Sequence, residues 1–229
     1  VTSLKQFNSY WSSCCQALSR YLPAHIVIPI DYQVDTDEIS MDDNLRCIIE
    51  PENNIEKELN DIAMHWSQAH SPLLILGHRL VHTTDYGFIN DFVDACGVPV
   101  IMTFGAKGLL PESHPLNLGN FGYGGTEESL CALKDRNHDF VLFVGASMGQ
   151  RETFDWEGHF GRDDSRKIFR LDIKKHANEG MFRPDKEIYV TSFERVLKLL
   201  LSKLPSAKHV PPSYFKYSNS KNHGNYNLA

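Results

Sequence analysis

The sequence has no apolar run approaching the roughly 20 residues that cross a bilayer, and its first residues lack the basic-then-apolar order of a secretion signal. Nor is there an excess of positive charge. The 23 Lys and Arg are interspersed with 29 Asp and Glu for a net charge of −6, so no broad positive field is offered to a nucleic-acid backbone. Cysteine is scarce and unpatterned: Cys14, Cys15, Cys47, Cys96 and Cys131 are five in number with one adjacent pair, which suits neither a disulfide framework nor a CxxC metal knuckle. A full GxGxxG fingerprint is missing, and so is the GxSxG elbow of a hydrolase. Ser147 therefore lacks a nucleophile's setting, and no cysteine has a base beside it in sequence. These absences predict a cytoplasmic protein with reduced, mostly buried thiols, no membrane or nucleic-acid partner, and no catalytic residue or metal ligand of its own.

What is present has the composition of an ordinary packed domain: 229 residues, 41% hydrophobic and 23% charged, enough chain to bury a core without metals or disulfides. Leu4, Phe7, Trp11, Cys14, Cys15 and Leu18 recur at spacings of three and four, predicting a helix that ends near Arg20 and needs a partner surface. HIVIPID reads as a short buried strand, and the acidic run DYQVDTDEISMDDN after it as a linker. Ile55, Leu59, Ile62 and Trp66 then predict a second helix, capped by Asn53 or Asn54. Next, PLLILG, VPVIMT, DFVLFVG and KIFRLDI are short apolar runs that each end in a small or polar residue, separated by helical patterns. Phe88, Ile89, Phe92, Val93 and Cys96 mark one such helix, ended by Gly97, and Thr126 caps another through Leu130 and Leu133. The strand EIYVT leads to a last helix, capped by Ser192, running through Leu204 and stopped by Pro205. The sequence opens on Val1, and its final stretch is polar and proline-led; both ends read as cuts or linkers. Alternation of this kind predicts an α/β fold: a doubly wound, mostly parallel Rossmann-like sheet with helices on both faces and its ligand crevice at the carboxyl ends of the strands.

Several residues at those strand ends are candidates for chemistry. Gly77 opens the loop GHRLVHTTDYG, which serves either as a phosphate cradle before a helix N-terminus or as a plain strand-to-helix turn. GASMGQRETF follows a later strand, and its Arg151 either neutralises a diphosphate or is a solvated arginine. Asp172 closes KIFRLDI, placed to accept from a ribose or to cap a following helix; the ribose reading is preferred. His78 and His82 stand four apart but lie where a loop is expected and have no third ligand, which favours surface histidines over a metal site. Trp11, Trp66 and Trp156 read as packing residues.

The stretch VPVIMTFGAKGLLPESHPLNLGNFGYGG carries Thr103, Lys107, Gly108, Pro111, Glu112, His114, Pro115, Gly119 and Gly122 in an order that resembles the central domain of thiamine-diphosphate enzymes, the family of acetolactate synthase and pyruvate oxidase. The likeness continues through DFVLFVGASMGQR and KIFRLDI and spans residues 72–204. Upstream, Pro29 and Asp31 are similar to the closing strand of that family's pyrimidine-binding domain, from which Ala24 and His25 depart. The resemblance implies three parts: 1–50, the tail end of a pyrimidine-binding domain and a linker; 51–205, the central domain; 206–229, a linker or tail. It also implies thiamine diphosphate and Mg in an intact enzyme acting on a 2-oxo acid as a homodimer or homotetramer. The GDG-and-asparagine motif that holds the metal and diphosphate is absent here, so the chain alone is expected to be inactive. Some members bind FAD in the central domain. The matching positions here are Gly77, His78, Arg79, Thr103, Phe104, Asn120, Phe121, Gly122, Gly145, Ala146, Ser147, Asp172 and Ile173, with Arg151 beside them. Asn120 and Phe121 stand where synthases tend to show methionine and histidine. The alternatives are a stand-alone NAD-binding, sirtuin-like enzyme or a non-catalytic nucleotide-binding module.

Overall fold

A computed structural model describes residues 4–19, 23–33, 55–82, 85–135, 137–149, 165–173 and 182–205. The caps Asn53 and Asn54, Cys47, Arg151, Trp156, most of the acidic run and the tail from 206 lie outside the described residues. The chain divides into two compact units, Val1–Glu52 and Asn53–Ala229.

In the first unit, helix α1 (Leu4–Ser19) forms where its apolar spacing predicts. Phe7 and Trp11, one turn apart, stack with ring centroids 6.1 Å apart. The strand expected in HIVIPID does not form: the segment is irregular, ends in a 3-10 turn at Ile30–Tyr32, and leaves Val27 63% and Ile30 76% exposed. A strand is stable only when neighbouring backbone takes up its hydrogen bonds, and this segment joins no sheet among the described residues.

The second unit holds α2 (Ile55–Gln68), β1 (Pro72–Leu76), α3 (Tyr86–Cys96), β2 (Val100–Thr103), β3 (Asn117–Phe121), α4 (Glu127–Lys134), β4 (Phe140–Val144), β5 (Lys167–Asp172), β6 (Lys186–Tyr189) and α5 (Phe193–Leu201). The six strands form one sheet in the order β3-β2-β1-β4-β5-β6. Every pairing is parallel, with Leu74 opposite Val100 on one side and Leu142 on the other. Strand order reverses between β1 and β4, the topological switch at which such sheets open their crevice.

The period-two alternation of the strands sorts the core into two faces. Leu74, Leu76, Val100, Leu142, Val144, Phe169 and Leu171 pack with α2, α3 and α5. Leu73, Ile75, Ile101, Val141, Phe143 and Ile168 pack with Ala132 and Leu133 of α4. The central strands are buried on both sides, which explains why they read as unbroken apolar runs. Trp66 meets Phe140 edge to face at 5.9 Å and anchors α2. Thr126 and Ser192 cap α4 and α5 by accepting from Ser129 N and Arg195 N, and Gly97 closes α3. Helix α5 ends at Leu201, short of Leu204, whose amide still bonds to Leu200.

All four described cysteines are free, and only Cys96 among them is buried; Cys131 is exposed. The expectation of mostly buried thiols is corrected accordingly, since Cys131 sits on the outer stripe of the short helix α4. Burial in apolar surroundings pushes the Cys96 thiol well up, leaving it inert. Among the described residues no helix is long and apolar enough to cross a membrane.

Candidate functional site

The carboxyl edge of the sheet is built from consecutive loops. After β1, Gly77 N donates to Val144 O at 2.8 Å and Arg79 N to Gly145 O at 3.1 Å, while Gly145 N donates to Leu171 O at 2.9 Å. The loops of β1 and β4 are thereby laced together. A Cβ at Gly77 would lie 2.1 Å from Gly145 O and 2.2 Å from Ala146 Cα. The glycine is required because one loop's backbone lies against another's, and the space beside it is filled by protein. Gly145 itself has φ 65°, a left-handed conformation that favours glycine.

Beyond these loops lies a buried ionic cluster. Arg79 Nη1 donates to Asp172 Oδ2 at 2.6 Å, and Arg170 donates to the same oxygen through Nε at 3.3 Å and Nη2 at 3.2 Å. Ile173 N donates to Oδ1 at 2.7 Å. Asp172 is 1% and Arg170 3% exposed. Arg170 also reaches Glu187 at 3.4 Å, and Tyr189 donates its hydroxyl to Glu187 at 2.5 Å. Burial and that carboxylate push the Tyr189 phenol up to about 12. Burial lowers the Arg170 pKa, and the carboxylates of Asp172 and Glu187 oppose that shift. Two guanidiniums and two carboxylates thus balance in charge.

The other half of the edge, at β2 and β3, differs. Thr103 is fully buried, yet its Oγ1 has no hydrogen-bond partner, and neither has the buried Asn120 Oδ1. Phe121 is buried in the α4-side core, whereas Phe104 and Tyr123 are 65% and 82% exposed. Gly122, with φ 92°, starts the turn between them and α4. His78 connects the halves, its Cβ being 2.8 Å from where a Cβ on Gly105 would lie.

Of the predicted residues, then, Gly77, Arg79, Gly145, Ala146, Asp172 and Ile173 come together at the ends of β1, β4 and β5. Thr103, Phe104, Asn120, Phe121 and Gly122 gather at β2 and β3. Ser147 is partly buried in the loop after β4, and Arg151 is outside the described residues. His78 opens a 3-10 turn, His78–His82, and no group of three metal-ligating side chains occurs among the described residues. Sequence reasoning passed over Arg170, although a charge inside an apolar strand, two residues before an acid and so on the same face, is a usable signal. It also missed Met148, buried with φ 54° in the loop after β4, for which the sequence carries no sign.

These groups can be tested against the cofactors a doubly wound sheet invites. Among the described residues, no acidic or imidazole cluster converges to hold a metal-bound diphosphate. At β1, β4 and β5, the space beside Gly77 is filled by Gly145 and Ala146, and Asp172 Oδ2 already accepts from Arg79 and Arg170.

Fold and edge together define a doubly wound, Rossmann-like α/β domain whose β1 and β4 loops are bonded to each other at the switch point. The family described as thiamine pyrophosphate enzyme, central domain, matches residues 59–198, and the chain belongs to that family. Its relatives include the acetolactate synthase large subunit of Corynebacterium glutamicum, 29% identical over 62% of this chain and 22% of that protein. The acetolactate synthase isozyme 1 large subunit of Escherichia coli is 27% identical over 56% of this chain and 22% of its own. The sulfoacetaldehyde acetyltransferase of Roseovarius nubinhibens is 24% identical over 80% and 29%. The chain therefore spans between a fifth and a third of the length of these relatives. Among solved structures, a protein from Mycobacterium smegmatis described as a thiamin diphosphate-dependent enzyme superposes with a TM-score of 0.50 at 18% identity, covering 69% of this chain and 29% of that one. That likeness supports the fold.

Proposed function

We propose that this chain is the central, spacing part of a longer thiamine-diphosphate-dependent enzyme of the acetolactate-synthase kind, acting on a 2-oxo acid in the cytoplasm as a homo-oligomer. The observation that carries the reading is the match of residues 59–198 to the family's central domain, set beside a carboxyl edge whose ionic groups are bonded to one another. When bound by the intact enzyme, thiamine diphosphate with Mg supplies a carbanion that makes or breaks the bond next to a carbonyl. This chain's residues contribute position. The sheet holds the edge rigid, and Phe104 and Tyr123 offer exposed rings to a neighbouring domain or second subunit. Residues 1–50 belong in this reading to the end of a pyrimidine-binding domain with its linker, and 206–229 to a further linker. Family membership leaves the sirtuin-like alternative without support.

The test is calorimetric titration of the 229-residue chain with thiamine diphosphate and Mg, followed by incubation with pyruvate. Neither saturable binding nor pyruvate consumption is expected. Stoichiometric cofactor binding, or turnover, by this chain alone would overturn the assignment.

A further inference from the structure

A doubly wound sheet that takes a dinucleotide commonly offers an acid at a strand end to a ribose hydroxyl. Asp172 stands at such a place but is held by the chain itself. We propose that Arg79 is a specificity-determining residue that shuts the crevice against adenine nucleotides by occupying the acceptor a ribose would need.

Three observations carry this. The first is occupancy: the short bond to Asp172 Oδ2 is the one from Arg79 Nη1 at 2.6 Å, the two from the Arg170 guanidinium being longer at 3.3 and 3.2 Å, while Oδ1 accepts from Ile173 N. Arg79 therefore takes the best acceptor position that Asp172 could offer a hydroxyl. The second is strength. A guanidinium–carboxylate bond is charge-assisted and roughly twice as strong as a neutral one, and the carboxylate is buried, so an entering ribose exchanges a stronger bond for a weaker one. The third is anchorage. Arg79 N is tied to Gly145 O at 3.1 Å, so the backbone that carries the side chain is held in place beside Asp172.

Arg79 is the removable half of the cluster. Arg170, on the same strand as Asp172, still neutralises the carboxylate when Arg79 is cut back, while one side of Oδ2 becomes available. Among the described residues, the closure therefore turns on Arg79, a residue of the loop after β1 whose side chain is 15% exposed.

The experiment titrates ADP and FAD into the 229-residue chain and into Arg79→Ala, read by calorimetry and by flavin fluorescence anisotropy, with circular dichroism confirming the fold of each variant. Wild type is expected to show no saturable binding, and Arg79→Ala to gain at least about tenfold in affinity for ADP, equivalent to about 1.4 kcal/mol. Arg79→Lys, which keeps a cation at the position, should remain closed. If Arg79→Ala does not fold, Arg79→Met keeps the aliphatic stem and serves in its place. Saturable ADP or FAD binding by the wild-type chain, or no gain in the folded variant, would overturn the proposal. Both outcomes are independent of the thiamine-diphosphate titration above.

Discussion

Along the carboxyl edge of one sheet, the ends of β1, β4 and β5 bond to each other, whereas the ends of β2 and β3 bury two unpartnered polar atoms and hold two aromatic rings in the open. Gly77, Gly145, Arg79, Arg170 and Asp172 satisfy nearly every group they bury. Thr103 Oγ1 and Asn120 Oδ1 satisfy none within the chain, and Phe104 and Tyr123 project beyond them. The same strand-end position thus serves two purposes in one domain. Where the strand order reverses, the loops bond to one another; at the flank, two polar atoms go unpaired and two rings stay exposed.

The contrast can be broken most forcefully at Asp172. Asp172→Ala removes the buried carboxylate shared by the buried Arg170 and the partly buried Arg79 and should cost about 3–5 kcal/mol, seen as a collapse of the urea midpoint or loss of soluble protein. A midpoint near wild type would mean that the cluster is solvated. Gly77→Ala comes next, because its methyl must displace Gly145 and Ala146 backbone; overpacking of this kind costs about 1–3 kcal/mol, and a neutral result would contradict the laced loops.

The amino edge sharpens the comparison through pH. His138 is fully buried and bonds to Ser71, and its pKa is lowered chiefly by burial. The unfolded chain therefore binds this proton more readily than the folded one. Stability from this group is complete above the unfolded value near 6.5 and is lost as pH falls from there toward the folded value, by as much as about 1.4 kcal/mol for each pH unit. Urea midpoints at pH 7.5 and 5.5 should differ in wild type and converge in His138→Gln; an unchanged difference would place the titration elsewhere. Asp139 and Asp185, whose carboxyls are held below their usual range by backbone N–H donors against the opposing effect of burial, contribute only at lower pH. Smallest is the pair of threonines. Thr103→Val removes a hydroxyl with no partner and should be neutral or stabilise by up to about 1 kcal/mol, while Thr126→Val removes a cap that also donates to Leu118 O at 2.6 Å and should cost about 1 kcal/mol. Equal costs would show that Thr103 is bonded after all.

Much of this architecture was legible because burial and periodicity coincide. The central strands announced themselves as apolar runs since both of their faces are covered, and Thr126, Ser192 and Gly97 marked helix ends by capping chemistry that needs no tertiary context. HIVIPID failed for the complementary reason: its composition suits a strand, but pairing is supplied by other backbone, which a sequence pattern cannot reveal. At the site, strand-end positions were foreseeable and their partners were not. Arg79 and Asp172 lie 93 residues apart, and nothing local to either says that they meet. The two readings of Gly77, ligand loop or plain turn, stay open in the sequence because close approach leaves the same mark whether the approaching group is a phosphate or another loop.

The closed edge rests most directly on the bond between Arg79 and Asp172, and a double-mutant cycle measures it. Urea unfolding of wild type, Arg79→Ala, Asp172→Ala and the double variant should give a coupling of at least about 1 kcal/mol, as expected for neighbours in one ionic network. Effects that add to within about 0.5 kcal/mol would show that the two side chains do not hold each other, and that the crevice at the switch point is open.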